Sequence, residues 1–404
     1  MANVYRARRL IDASGKVVPD GAVVASGGRI VRVGPWNRAR AHVGPSDRIE
    51  HFADGTLLPG LVNAHTHLAL SDMAGKFRPT EHFAAWIGRL TARLWVRGKD
   101  AAQRAARLGI DQSLAAGTAA AADMAHDPTF DVPPDEARGR WTIFRELFRF
   151  GEVGLAGVGQ AVASLQKRPT SPTIGLGLAP HAPYTASVEV FAAARRAADA
   201  RGWPVSTHLH ETLDEIAFTE RGEGTLHDWL RRLRILPRDW RPPGMRPVRM
   251  LAEAGFFSGP VLVAHGNYLT DEDIAILARS GSSVAFCPRS HAFFKHADHP
   301  WRRLLAAGVN VCFGTDSLAS SPTLSILDEA RHVFARQAGT DPRTLLEMAT
   351  RRGARALGLE EVVGDLREGL AADFCVVHPV AESKEVLASI LAGEGQVTRC
   401  GSTS

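Results

Sequence analysis

Eight short apolar runs, separated by stretches with helical periodicity, constrain the fold of this 404-residue chain most strongly. Each run has the length of a β-strand, and the alternation is that of parallel βα units. Eight units favour a closed (β/α)₈ barrel, which takes about 250 residues, over an open doubly wound sheet. The expected strands cover residues 57–64, 115–122, 141–148, 173–179, 204–208, 261–265, 283–287 and 310–314.

Two of the connecting helices are clear from their pattern, and we predict them over residues 188–201 and Asp271–Arg279. The second has Thr270 as a capping residue and an acidic first turn, both of which stabilise a helix N-terminus. A longer connection, residues 222–259, interrupts the alternation. It either shapes a pocket at the C-terminal ends of the strands or is a solvated surface insertion.

Both ends of the chain have β-strand patterns. Residues 1–57 show short strands and turns with no helical period, and residues 365–377 show a turn followed by a strand. We therefore predict one small β-domain built from both termini. The predicted division is 1–57 for its N-terminal part, 58–364 for the barrel and 365–404 for its C-terminal part.

Composition excludes several classes of protein. The net charge of +5 and pI near 9.3 would suit nucleic-acid binding, but the arginines are scattered among acids without a basic block. No apolar run reaches the roughly 18 residues of a membrane helix, and the start shows no signal-peptide pattern, so we expect a cytoplasmic protein. The four cysteines are far apart and are expected to be buried thiols.

The first predicted strand ends in two histidines, His65 and His67, one residue apart. Residues i and i+2 of a strand point to the same side, so both imidazoles would lie together. Two neutral imidazoles on one face can clamp a metal ion. The alternative is that both histidines are hydrogen-bonded polar residues at a strand end. Further ligand candidates downstream favour the metal site over this alternative.

Three later strands also end in a potential ligand or acid: His208, His265 and Asp316. Together with the first two histidines they would supply a His₃Asp ligand set, three of these four imidazoles and the carboxylate, around a barrel mouth, which leaves a position open for water. Zn²⁺ in such a site lowers the pKa of a bound water to about 7. Glu211 lies just past His208, where it could move protons on a substrate. We assign no role to His210.

These residues belong to longer motifs that resemble the amidohydrolase superfamily, specifically its metal-dependent deaminase branch. That branch includes methylthioadenosine/S-adenosylhomocysteine deaminases, aminodeoxyfutalosine deaminases and triazine hydrolases. The resemblance covers nearly the whole chain and implies a distorted (β/α)₈ (TIM) barrel with the composite β-domain. The motifs are PGLVNAHTH at 59–67, APHAPYT at 179–185, HLHET at 208–212, AHGN at 264–267 and GTDSLAS at 314–320.

The resemblance also implies roles for individual residues. His65, His67, His208 and Asp316 would hold one divalent metal ion, with Zn²⁺ expected and Fe²⁺ as the alternative. Glu211, His265 and Asp316 would be catalytic, and His181, Trp86 and Ser317 would contact the substrate. A second metal in this superfamily needs a carbamylated lysine after the fourth barrel strand. The nearest lysine here, Lys167, precedes that strand, which favours one metal.

The implied activity is hydrolytic deamination of a small amino-heterocycle, most similar to the 6-aminopurine nucleoside deaminases, with aminodeoxyfutalosine as the leading candidate. Relatives acting on adenine nucleosides carry an acid near the counterpart of Trp86. Here Ala84 and Ala85 are neutral, which leaves Glu81 or Asp72 for that role. The alternatives are deamination of guanine, a pterin or a pyrimidine, triazine chlorohydrolysis, and an inactive metal-binding scaffold. A homodimer is one alternative for the oligomeric state.

Overall fold

The computed structural model describes residues 1–126, 139–168 and 171–401. The strands in these ranges are β1 Asn3–Ile11, β2 Val17–Ser26, β3 Arg29–Pro35, β4 Arg48–Pro59, β5 Leu61–Thr66, β6 Thr118–Ala125, β7 Arg140–Leu147, β8 Ile174–Pro180, β9 Ser206–Leu209, β10 Leu262–His265, β11 Ser283–Phe286, β12 Asn310–Phe313, β13 Asp373–His378 and β14 Gln396–Gly401.

Helices connect most of these strands within the described ranges. They are α1 Trp36–Ala39, α2 Phe83–Trp95, α3 Lys99–Ala115, α4 Gly151–Gln166, α5 Val188–Asp199, α6 Leu213–Arg221, α7 Thr225–Arg232, α8 Pro247–Glu253, α9 Asp271–Arg279, α10 Pro288–Phe293, α11 Trp301–Ala306, α12 Ile326–Arg336, α13 Pro342–Ala349, α14 Arg351–Ala356 and α15 Val386–Leu391. Two 3₁₀ turns, Arg40–His42 and Leu68–Met73, complete the set.

The barrel consists of two four-stranded parallel sheets. One, the first half-barrel, has the order β5-β6-β7-β8, and the other, the second half-barrel, has the order β12-β11-β10-β9. Single parallel bridges, Thr66 with Asp316 and Leu178 with Val205, join the two sheets into a ring. The predicted distorted eight-stranded barrel is confirmed, and the distortion lies at these two narrow seams.

The two termini share a six-stranded sheet of order β14-β13-β4-β1-β2-β3. The contact between them is the antiparallel pair β13–β4, in which Val376 lies opposite Leu57. The predicted composite β-domain is therefore confirmed. The exact division at 57/58 and 364/365 stays a prediction, and residues 127–138, 169–170 and 402–404 lie outside the described residues.

The predicted strand 57–64 is divided in two at Gly60, so this expectation was wrong. Leu57 to Pro59 pair with β13 in the terminal sheet, whereas β5 starts at Leu61 and pairs with β6. A Cβ at Gly60 would lie 2.4 Å from Ala119 Cβ and 2.6 Å from the carbonyl oxygen of Asp373. The chain passes between the two sheets there because glycine has no side chain.

Other elements also differ from the prediction, and the helix predicted over 188–201 ends at Asp199. Residue 115, expected in a strand, ends α3; Gly117 adopts φ +84°, which ends the helix, and β6 begins at Thr118. The four-residue helix α1 was missed because it is too short to show periodicity. By contrast, α9 begins and ends as predicted, and Thr270 and Asp273 form a capping box.

The connection 222–259 contributes buried side chains to an aromatic cluster. Leu226 and Leu230 of α7 are fully buried in the same cluster as Phe83 and Trp86 of α2. Trp240 stacks on Phe218 with ring centroids 4.6 Å apart. This connection therefore packs against the α2 side of the barrel mouth.

The described part of the chain contains no helix long and apolar enough to cross a bilayer. The four cysteines are free and buried, as expected from their spacing. A cluster of small and apolar side chains from most barrel strands fills the space beneath the site, and it includes Ala64, Ala122, Phe144, Ala179, Ala285 and Cys312.

Candidate metal centre and active site

The ring nitrogens of three histidines converge at the C-terminal ends of β5 and β9. Ligand atoms of His65, His67 and His208 lie within 4.8 Å of one another, and the Nε2 atoms of His67 and His208 are 3.2 Å apart. His65 is fully buried, and among the described residues neither of its nitrogens has a hydrogen-bond partner. Unpaired buried nitrogens facing each other are the donor set that a metal ion would satisfy.

The protonation of these histidines suits ligation. Burial, followed by the neighbouring histidines, holds the pKa of His65 and of His208 well below the usual value. Nδ1 of His208 lies 3.1 Å from the carbonyl oxygen of His181 and therefore carries the hydrogen. The lone pair of His208 is on Nε2, which faces the group.

Asp316 completes the group from the tip of β12. Its Oδ1 lies 3.6 Å from His67 Nε2 and 3.9 Å from His65 Nε2. Its Oδ2 accepts hydrogen bonds of 2.7 Å from the hydroxyls of Ser290 and Ser320. Two serines thus hold one carboxylate oxygen and leave the other facing the histidines.

Glu211 and His265 lie beside this group, with Glu211 Oε1 3.6 Å from His265 Nε2. Burial, reinforced by Asp316 and Glu215, raises the pKa of Glu211 well above its usual value. Burial lowers the pKa of His265 to about 4. Glu211 therefore favours the protonated form and His265 the neutral form, the states needed for an acid and a hydrogen-bonding partner.

His181 follows β8 and lies next to the ligand candidates. Its Nδ1 is 2.8 Å from the Thr185 hydroxyl, and that hydroxyl in turn donates to the carbonyl oxygen of Ala182. Because a hydroxyl has one hydrogen, Nδ1 of His181 must be the donor and Nε2 carries the lone pair. The ring also stacks on Phe148, with centroids 4.7 Å apart.

The other two substrate-contact candidates are Trp86 and Ser317. Trp86 is buried in the aromatic cluster, and successive ring contacts through Phe83 and Tyr184 connect it with His181. Its indole nitrogen has no partner among the described residues. Ser317 is buried beside Asp316, and its hydroxyl accepts a hydrogen bond from the backbone of Ala319. Their contact with substrate stays a prediction.

His210 lies outside the group, although it is two residues from His208. Its backbone has φ 54°, and its Nε2 accepts a hydrogen bond from the backbone of Val248. Its Nδ1 faces the carbonyl oxygen of Tyr268. His210 thus anchors the βα connection.

Two buried acids, Asp123 near the end of β6 and Glu146 near the end of β7, were not selected from the sequence. Burial raises the pKa of Asp123 to about 7 and that of Glu146 well above its usual value. Glu146 also forms a second group with His181 and His208, with ligand atoms within 4.8 Å of one another. An acid near the end of a predicted strand was the available signal, the same one that pointed to Asp316.

Comparison with known proteins identifies the family. The sequence model described as "Amidohydrolase family" matches residues 56–395. The chain belongs to the amidohydrolase family. The class expected from the sequence, a metal-dependent hydrolase acting on carbon–nitrogen bonds, is thereby confirmed.

Individual relatives of this amidohydrolase are deaminases. It is 31% identical over 388 residues to a 5-methylthioadenosine/S-adenosylhomocysteine deaminase of Moorella thermoacetica, covering 91% of this chain and 83% of the relative. It is 32% identical over 353 residues to the aminodeoxyfutalosine deaminase of Deinococcus radiodurans, covering 82% of each. A zinc-bound structure described as an adenosine deaminase of Xanthomonas campestris superposes with a TM-score of 0.83 at 27% identity, covering 98% of this chain and 90% of the neighbour.

Proposed function

We propose that this amidohydrolase is a hydrolytic deaminase of a 6-aminopurine nucleoside derivative, with aminodeoxyfutalosine as the leading candidate. The observation that carries the proposal is the pairing of Glu211 with His265, 3.6 Å apart, beside a cluster of histidines suited to a metal. Deamination needs a nucleophilic water and an acid for a ring nitrogen, and these residues offer both functions. The names of the relatives, which are deaminases of purine nucleosides, support the substrate class.

One divalent ion, Zn²⁺ in the first instance and Fe²⁺ as the alternative, would be held by His65, His67, His208 and Asp316. When bound there it would make a water molecule acidic enough to act as a nucleophile near neutral pH. The unpaired nitrogens of His65 fit such an ion. The zinc in the Xanthomonas structure supports this choice.

The remaining chemistry falls to the side chains. Glu211, whose protonated form burial favours, gives its proton to the ring nitrogen next to the carbon that bears the amine. Asp316 Oδ1, free of the serine hydrogen bonds, takes the proton of the attacking water, which His265 orients. Asp316 then passes this proton to the amine, which leaves as ammonia, and the new hydroxyl on the same carbon returns a proton to Glu211 as it becomes the product carbonyl. His181 positions the heterocycle.

The test is a panel assay with the metal-loaded protein. Aminodeoxyfutalosine, S-adenosylhomocysteine, methylthioadenosine, guanine and a chlorinated triazine are incubated in parallel, and both ammonia and chloride are measured. Ammonia from one or more of the first three compounds supports the proposal. Chloride alone, or ammonia from guanine alone, contradicts it.

A variant adds a second arm to this test. His181→Ala should lower kcat/KM on the reactive nucleoside while metal content stays unchanged, because His181 positions substrate without ligating the ion. Exposed His51 offers a matched control, since His51→Ala removes an imidazole from the terminal sheet. Equal kcat/KM values for the two variants would show that His181 has no role in substrate binding.

A further inference from the structure

Glu146 is a buried acid that the proposed chemistry does not use. It lies near the C-terminal end of β7, and among the described residues its Oε1 has no hydrogen-bond partner. Its other oxygen, Oε2, is 4.0 Å from Nδ1 of His126. A buried carboxylate oxygen without a partner costs free energy, so such an atom points to a missing donor.

The missing donor would sit between Glu146 and His181. Oε1 of Glu146 is 3.9 Å from Nε2 of His181, which is too long for a hydrogen bond. The hydrogen bond to Thr185 puts the proton of His181 on Nδ1, so Nε2 is an acceptor as well. Oε1 of Glu146 and Nε2 of His181 therefore face the same space without bonding each other, and a hydroxyl group placed beside both atoms would satisfy them.

This space belongs to the substrate side of the site. Glu146, His181 and His208 have ligand atoms within 4.8 Å of one another, so the carboxylate borders the proposed metal position. Phe148 stacks on His181 and closes one side of the same region with an apolar ring. A molecule held by His181 would bring its own polar groups to Glu146.

Building on the proposed function, we infer that Glu146 is a specificity-determining residue that accepts a hydrogen bond from a sugar hydroxyl of the nucleoside. Apart from the reacting amine, the hydroxyls are the hydrogen-bond donors that every ribonucleoside carries. The two acids considered from the sequence are less suitable. Glu81 is exposed, and Asp72 is paired with Arg97 at 2.8 Å.

A second metal ion is the competing occupant, because Glu146, His181 and His208 could in principle form a ligand set. His208, however, has no nitrogen left for it. Nδ1 of His208 bonds the carbonyl oxygen of His181, and Nε2 faces His67 in the first group. Two protein ligands would remain among the described residues, fewer than the three of a catalytic zinc site.

The experiment compares 5′-methylthioadenosine with its 2′-deoxy and 3′-deoxy analogues. Wild type is expected to prefer the ribonucleoside over at least one analogue by on the order of 10-fold or more in kcat/KM, chiefly through KM. In Glu146→Ala this preference should fall to about 1, because kcat/KM for the ribonucleoside drops toward that of the analogue, and metal content should stay unchanged. Glu382→Gln, at an exposed site, is the control and should keep the wild-type preference.

Glu146→Gln covers the case in which the alanine variant does not fold. The amide keeps an oxygen acceptor and the side-chain shape but cannot ionise, so the hydroxyl would meet a neutral acceptor and the preference should shrink without vanishing. An unchanged preference in both folded variants overturns the inference. So does a metal content of two ions per chain in wild type and one in Glu146→Ala.

The two proposals fail in distinguishable ways. Wild type that deaminates none of the nucleosides overturns the proposed function, and the role of Glu146 falls with it. Wild type that deaminates them with no preference for the ribonucleoside overturns the role of Glu146 alone.

Discussion

Oε1 of Glu211 lies 3.6 Å from Nε2 of His265, and burial shifts the pKa values of the two groups in opposite directions. Burial thus favours the protonated form of the acid and the neutral form of the imidazole. Each shift disfavours the charged form, which is the effect of removing both groups from water. The pair is thus set for proton movement at neutral pH.

Glu211→Gln should abolish this proton movement while preserving shape. We expect kcat to fall on the order of 10²-fold or more, because a general acid contributes about that much. Metal content should not change, since Glu211 is not among the converging ligand atoms. Ammonia release and metal analysis of the same sample check both points, and normal turnover would exclude Glu211 from the mechanism.

His208→Ala and His210→Ala form a matched pair, because both remove a buried histidine at the C-terminal end of β9. The first should lose metal together with activity. The second should keep metal and lower the free energy of unfolding by about 1–3 kcal/mol, because the backbone donor of Val248 loses its acceptor. Metal analysis and urea unfolding distinguish the two, and metal loss from both variants would argue against the assignment.

Gly60→Ala should destabilise the fold, because the added Cβ would lie 2.4 Å from Ala119 Cβ and 2.6 Å from a backbone oxygen. Overpacking of this kind costs about 1–3 kcal/mol. Gly159→Ala in the exposed part of α4 has open space around it and should stabilise by about 0.5–1 kcal/mol. Denaturant unfolding measures both, and equal effects would show that Gly60 has room for a side chain.

Glu329 gives a prediction for the pH dependence of stability. Burial raises its pKa from 4.5 in the unfolded chain to about 7, although Arg289 opposes the shift. The folded state thus binds the proton more tightly. The resulting stabilisation is complete below pH 4.5 and disappears as the pH rises through about 7. Its upper limit is roughly 3 kcal/mol.

Glu329→Gln should remove this pH-dependent contribution. Urea unfolding at pH 5, 6, 7 and 8 should show a shallower decline in the free energy of unfolding for the variant than for wild type. Glu382→Gln, exposed, should follow the wild-type curve. Parallel curves for wild type and Glu329→Gln would mean that Arg289 keeps this carboxylate ionised.

The barrel was predictable because each strand is a short apolar run that ends in a turn or a polar residue. The proximity of His65 and His67 was predictable for the same reason, since strand geometry alone places them together. The division at Gly60 was not predictable, because it depends on contacts with Ala119 and Asp373, which are distant in sequence.

The side chains that hold the proposed ligands in position could not be predicted from the sequence either. Ser290 holds Asp316 from a different strand connection, and no local pattern relates them. Glu146 occupies a strand-end position like those of the chosen ligands, but a single acid next to Arg145 has no spacing that marks it. Its significance comes from its unpaired oxygen, which only the fold reveals.

The two seams of the barrel set the order in which the site can form. His65 and His67 belong to the first half-barrel, whereas His208 and Asp316 belong to the second, and single bridges join the halves. Each half thus carries two of the four proposed ligands, fewer than the three protein ligands of a catalytic zinc site. During refolding, ion uptake would therefore occur late, when the two half-barrels dock. A chelator added before docking would leave the rates of the preceding folding steps unchanged.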